Sequence, residues 1–244
     1  MSTVFPRLRR SFLLTLACAT AAIPAIAQDT GANCTVTFDA TWSEATHPTD
    51  WPGNSAHFSP LIGATHNAQV IFWQPGDFAS DGVREVAEFG ATGTFTGEIN
   101  TEIGLGTADA VVTGPAVGIS PDTVSTSFDI GLDHPLLTLI TMIAPSPDWF
   151  VGVHGESLFE NGSWVAEKIF DLPPYDAGTD SGTTFFSPNS ITVPTEPITL
   201  LTDPPLAGAP SMGTYTVRCT SPLVFTDGFE NGDLAAWSTA VGTP

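Results

Sequence analysis

The chain reads as an all-β protein, an antiparallel β-sandwich with one short helix and long loops. Three observations predict this class. Gly (23 residues) and Pro (21) are abundant, Lys is nearly absent, and Thr, Val, Ile and Phe are common, a balance that favours strands and turns over helices. One segment, "CTVTFDATW" (Cys34–Trp42), alternates apolar and polar residues without a break. Further short apolar runs follow it, separated by Pro, Gly, Asn and Asp turns, as in a sandwich with decorated loops.

The elements follow in order. In Cys34–Trp42 the residues Cys34, Val36, Phe38, Ala40 and Trp42 fall on one side and Thr35, Thr37, Asp39 and Thr41 on the other. A period of two marks a half-buried strand and points Cys34 inward. "HNAQVIFW" (His66–Trp73) reads as the next strand. "ASDGVREVAEFG" (Ala79–Gly90) predicts the one helix: Ser80 or Asp81 caps it, Val83, Val86 and Ala87 share a face, and Gly90 ends it. "VSTSFDI" (Val124–Ile130), "LLTLITMI" (Leu136–Ile143), "DWFVGV" (Asp148–Val153) and "TYTVRCT" (Thr214–Thr220) complete the strands. Leu136–Ile143 is apolar on both faces and is expected at the centre of a sheet. Trp42, Trp149 and Trp164 are expected in the core. Trp51 and Trp73, near loop ends, are the candidate ligand platforms, with core or edge packing as the blander role. There is no internal repeat.

Residues 1–27 read as a signal peptide. Arg7, Arg9 and Arg10 precede a short apolar run, and Ala25-Ile26-Ala27 fits the A-x-A cleavage pattern. The run is too short for a membrane span, and no later segment approaches the ~20 apolar residues that a spanning helix needs. The expected product begins near Gln28, with a domain over 28–220 and an acidic, aromatic tail over 221–244. Its location is secreted, cell-surface or periplasmic. Packing on the domain, an export or attachment signal, and disorder all stay open for the tail.

Three of the six Lys and Arg residues lie in the signal segment and all 26 acids lie beyond it. Three cations against 26 acids leave a net charge of −23. Phosphate binding runs on Lys and Arg, so nucleic acid is excluded as a partner and anionic lipid is repelled. Of the three cysteines, Cys18 departs with the signal. Cys34 and Cys219 remain, and in an exported chain two cysteines point to a disulfide rather than a redox or metal site; unpaired thiols are the alternative.

Several chemistries can be weighed from the residues. "HGESLF" (His154–Phe159) lacks the second Gly of a nucleophile elbow. No histidine pair among His47, His57, His66, His134 and His154 has the spacing of H-E-x-x-H, and no cysteine is spare for zinc. Paired carboxylates serving a glycan-active hydrolase remain an alternative. The loop "PPYDAGTDSGTTF" (Pro173–Phe185) sets Asp176 and Asp180 on either side of Gly178, with no basic residue within seven positions of either aspartate. Carboxylates and carbonyls in a Gly-containing turn suit a hard cation such as Ca²⁺. Turn capping by each aspartate is the competing role.

Taken together, "FDATWSEATHP" (Phe38–Pro48), "HFSPLIGATH" (His57–His66), the helix segment, "PSPDWFVGV" (Pro145–Val153), Trp164 and "DLPPYDAGTDSGTTF" (Asp171–Phe185) resemble, in order, the spondin domain of F-spondin and mindin. The resemblance runs from about Cys34 to Cys219, and the signal peptide and tail look like those of a bacterial exported protein. It implies a C2-like β-sandwich and an exported, non-enzymatic adhesion or binding module that engages an extracellular protein or glycan. It also implies a Ca²⁺ ion held by Asp148, Asp176 and Asp180. Two departures bear on partners. The stretch "HGESLFENGSW" (His154–Trp164) lacks the cysteines of animal members, and thrombospondin-type repeats are absent, so integrin or matrix binding is not carried over.

Overall fold

The computed structural model describes residues 31–206 and 210–221. The expected signal segment 1–27 lies outside these residues, as does the tail from residue 222 onward. In chain order the strands are β1 (Gly31–Ala40), β2 (His57–Phe58), β3 (Leu61–His66), β4 (Ala108–Gly114), β5 (Asp122–Gly131), β6 (Leu136–Ala144) and β7 (Trp149–Ser157). There follow β8 (Phe159–Glu160), β9 (Ser163–Trp164), β10 (Lys168–Asp171), β11 (Tyr175–Asp176), β12 (Thr199–Leu200) and β13 (Gly213–Thr220). Two helices, α1 (Asp81–Phe89) and α2 (Gly93–Leu105), fall between β3 and β4.

One sheet has four strands in the order β10-β13-β1-β5, and the other has seven, β12-β11-β7-β6-β3-β4 with β2 on β6. The small β8-β9 hairpin stands beside them. The alternation in β1 decides which face is inside. Cys34, Val36, Phe38, Ala40 and Trp42 are all buried, and they share one core with Tyr215 and Val217 of β13 and with Leu137, Leu139, Trp149 and Val151 of the larger sheet. This is the predicted antiparallel sandwich. Cys34 and Cys219 are bonded to each other, as direct cross-strand partners in the β1–β13 register.

The larger sheet is covered on both faces. Its second face carries Ile62, Ala64, Ile140 and Phe150, which pack against Val83, Val86 and Ala87 of α1 and Phe95 and Ile99 of α2. That explains why Leu136–Ile143 is apolar throughout: β6 lies between β7 and β3 and buries Leu137 and Leu139 toward the sandwich and Ile140 toward the helices.

Helix α1 has the predicted caps. The Ser80 hydroxyl accepts the Val83 amide at 3.1 Å, and Gly90 closes the helix with φ of 65°. Helix α2 accompanies it, against the expectation of a single helix. Thr94, Thr96, Gly97, Thr101 and Gly104 are weak helix formers, and Thr92 makes no side-chain cap. Tertiary contacts hold it: Phe95 and Ile99 lie one turn apart and are fully buried, and Glu98 accepts from the Ser80 hydroxyl (2.6 Å) and the Gly82 amide (2.7 Å).

The strand expected over His66–Trp73 is corrected. Only His66 belongs to a strand, and that strand is β3, Leu61–His66. Its Gly63 reflects close packing, since a Cβ there would stand 1.9 Å from the Thr138 carbonyl oxygen of β6. Beyond His66 the chain turns, with the Asn67 side chain accepting the Gln69 amide at 2.9 Å. The apolar run after this turn fills space rather than a ladder. Trp73 is buried against Phe150 and Tyr175, whereas Ile71 is exposed. Trp73 is thus a core residue, as are Trp42, Trp149 and Trp164, while Trp51 is half-buried.

Candidate metal centre

The three predicted aspartates lie around the pairing of β7 and β11, with Asp180 reaching the Asp148 carboxylate through its backbone amide. Asp148 immediately precedes β7, and Asp176 of β11 lies opposite Trp149, the first residue of that strand. The Ala177 amide then donates to the Asp148 carbonyl at 3.2 Å. Sheet register therefore brings together residues 28 positions apart.

The following loop folds back over Asp148. Gly178 takes φ of +73° and packs on Glu196, whose amide donates to the Gly178 carbonyl at 2.8 Å. A Cβ at Gly178 would stand 2.1 Å from the Glu196 carbonyl oxygen. Gly178→Ala is therefore expected to cost about 2 kcal/mol, because a left-handed conformation and a backbone clash add together. Urea unfolding of the variant against the parent measures it.

Thr179 and Asp180 then close on the Asp148 carboxylate. Its Oδ2 accepts from the Thr179 amide (2.7 Å), the Thr179 hydroxyl (3.1 Å) and the Asp180 amide (3.0 Å). Asp148 is fully buried, and its Oδ1 has no hydrogen-bond partner. Burial, followed by the nearby Asp176 charge, raises its pKa from the usual carboxylate range to about 6, against the opposing pull of the Thr179 and Asp180 donors. Burial also raises Asp176, and the charges of Glu196 and Asp180 add to the effect. The Gly178 amide, which donates to Asp176 Oδ1 at 2.7 Å, opposes that shift. So does the nearby Trp149 indole, whose N–H lacks a partner within hydrogen-bond geometry.

Asp180 is nearly buried, with Oδ1 accepting the Gly182 amide (2.7 Å) and Oδ2 the Ser190 amide (3.0 Å). It pins both ends of the loop that carries Phe185 into the core against Trp42 and Trp149. Asp176 and Asp180 thus do cap turns, but Asp148 does something else: it is a buried carboxylate with one satisfied and one orphaned oxygen. Buried polar atoms are nearly always satisfied, and an exception calls for an account.

Among the described residues no three His, Cys, Asp or Glu side chains stand close enough to form a ready-made metal cage. The aspartates are linked pairwise instead, Asp180 to Asp148 through its amide and Asp176 to both through charge. No described cation neutralises them by a salt bridge. Arg84 pairs with Asp81, Glu85 and Glu88, Lys168 with Glu156 and Glu160, and Arg218 with Glu167. The donors are oxygens throughout, the kind a hard cation takes.

Sequence reasoning missed two participants. Thr179 stood inside the D-A-G-T-D motif, where its amide and hydroxyl could have been recognised as donors. Glu196, 20 residues beyond Asp176, carried no motif; only the fold packs it against Gly178 and brings its charge near Asp176.

The chain is similar to known proteins over most of its described length. The Spondin_N family model matches residues 32–210. Spondin-1 of Gallus gallus is 41% identical over 175 residues, covering 68% of this chain and 21% of that protein. Spondin-1 of Homo sapiens is 39% identical over the same length, with the same coverage. Spondin-2 of Rattus norvegicus is 36% identical over 174 residues, covering 70% of this chain and 53% of that protein.

Proposed function

The chain belongs to the Spondin_N family, and from that premise we propose that it is an exported, calcium-binding adhesion or binding module rather than an enzyme. It engages an extracellular protein or glycan through a loop rim that calcium orders. The observation that carries this reading is the buried Asp148, with its orphaned Oδ1 beside Asp176 and no cation among the described residues to neutralise either. Asp148, Asp176 and Asp180 would hold the ion. When bound, Ca²⁺ supplies positive charge against carboxylates that burial and mutual repulsion disfavour. The residues themselves do the positioning: Thr179 and the Asp180 amide fix Asp148, and the Asp180 carboxylate ties Gly182 and Ser190 into one loop.

No described helix is long and apolar enough to cross a membrane. A glycan hydrolase working through these carboxylates would need them to face its substrate, whereas Asp148 is fully buried with Oδ2 engaged by three donors.

Thermal unfolding of the chain without residues 1–27, in excess Ca²⁺ and in chelator, tests the proposal. At a free calcium concentration near 100 Kd, binding to the folded state alone adds about 2.7 kcal/mol. The expected result is a higher Tm in calcium that disappears in Asp180→Ala. The same Tm in calcium and chelator would reduce Asp176 and Asp180 to turn caps and bring the hydrolase forward.

A further inference from the structure

Beside the carboxylate centre, two loops form an open cleft of about 550 Å³ lined by Glu44, Asp50, Trp51, Thr184, Phe185 and Phe186, together with Pro48. Its construction follows from residues already described. Phe185 is anchored in the core and leaves its neighbour Phe186 facing solvent at 66% exposure. Trp51, also in the lining, sits edge-on to buried Trp42, with ring centroids 5.3 Å apart, and stays half-exposed. The loop bearing Phe186 is the one that Asp180 pins at Gly182 and Ser190. Glu44 and Asp50 are exposed along the same cleft, and neither takes part in a salt bridge among the described residues, where Arg84, Lys168 and Arg218 pair with other acids.

We infer that this cleft binds an arginine or lysine side chain presented by a basic segment of an extracellular protein. Two aromatic walls attract a cation through their ring faces, and two uncompensated carboxylates supply the counter-charge. A guanidinium suits the combination best, since it stacks on rings and forks to carboxylates. The net charge of −23 outside the signal segment steers a basic partner toward the surface. A choline lipid headgroup would share the cationic end but bring a phosphate against Glu44 and Asp50, so the protein side chain is the better occupant. The inference names the partner class of the proposed binding module, and the cleft itself is defined without calcium.

The test uses a capped peptide carrying two arginines and its two-glutamine counterpart, titrated at fixed salt by calorimetry, in calcium and in chelator. The arginine peptide is expected to bind, and the glutamine peptide at least tenfold more weakly. Phe186→Ala, which removes an exposed ring at constant charge, is expected to weaken arginine-peptide binding about tenfold. Trp51→Ala should do the same, and far-ultraviolet circular dichroism checks that its contact with Trp42 was not needed for folding. Glu44→Gln with Asp50→Asn should weaken binding more than Asp109→Asn with Asp133→Asn, an equal charge loss at exposed positions outside the cleft.

Wild-type affinity in Phe186→Ala, or equal losses in the two charge pairs, would overturn the inference and assign any binding to the general acidic field. Preference for vesicles of phosphatidylcholine over the arginine peptide would overturn it in favour of a lipid headgroup. A cleft that binds in chelator while Tm ignores calcium upholds this inference and sinks the calcium reading. A calcium-dependent Tm with no arginine preference does the reverse.

Discussion

Replacing Cys34 and Cys219 together by alanine is expected to destabilise the protein by about 5 kcal/mol, the loop-closure value for a bridge across 185 residues. The effect acts mainly through the unfolded chain. In the folded state β1 and β13 already hold these two positions opposite each other through their ladder, from Asn33↔Thr220 to Ala40↔Gly213. In the unfolded state the bridge joins the two ends of nearly the whole described domain, and removing it restores that lost freedom. Domains of this size have total stabilities of about 5–15 kcal/mol, so the variant should sit close to its unfolding threshold and lose roughly 10–20 °C in Tm. Urea unfolding followed by fluorescence gives the free energy, and the slope of the transition reports on the unfolded state. A loss below about 1 kcal/mol would mean that the unfolded chain keeps its ends together without the bridge.

The second large effect is a pH dependence carried by Asp148. Its folded pKa is raised to about 6, above the usual value near 4 in an unfolded chain. Between those values the folded protein binds a proton that the unfolded chain does not, so stability rises as pH falls from 7 toward 4. Deprotonated Asp148 therefore costs about 3 kcal/mol at neutral pH in the absence of a cation, at 1.36 kcal/mol per unit. Asp148→Asn keeps the shape of the side chain and removes the titration. In chelator, the gain in stability between pH 7 and pH 4 should be about 3 kcal/mol smaller in the variant than in the parent. Other carboxylates titrate in both proteins and cancel in the comparison. Calcium should also flatten the parent's profile, because a bound cation favours the ionised carboxylate. The same pH slope in variant and parent would show that Asp148 is not held in a raised state.

These two effects meet the sequence in different ways. The period-two pattern of Cys34–Trp42 placed one cysteine inside, and the expectation of export made the pairing legible before any fold was known. The same pattern logic located β5, β6, β7 and β13, because a half-buried or central strand writes its environment into alternate or continuous apolar positions. It went astray at His66–Trp73, where a continuous apolar run filled the space beside Phe150 and Tyr175 without pairing as a strand. It was silent on α2, whose glycines and threonines carry no propensity and whose stability comes from Phe95, Ile99 and the Glu98 bonds to α1.

The sequence by itself determined the all-β class, the helix caps of α1, a net negative charge unsuited to phosphate binding, and the motif resemblance that named Asp148, Asp176 and Asp180. All of these are written in local spacing, residue type or total charge. Only the tertiary structure decided that Asp148 is the buried member with an orphaned oxygen, that Thr179 and Glu196 belong to its surroundings, and that Trp51 and Phe186 line one cleft with Glu44 and Asp50. Burial and through-space charge depend on which segments the sheet register sets side by side. Residues 148 and 180, or 51 and 186, become neighbours only once the chain has folded.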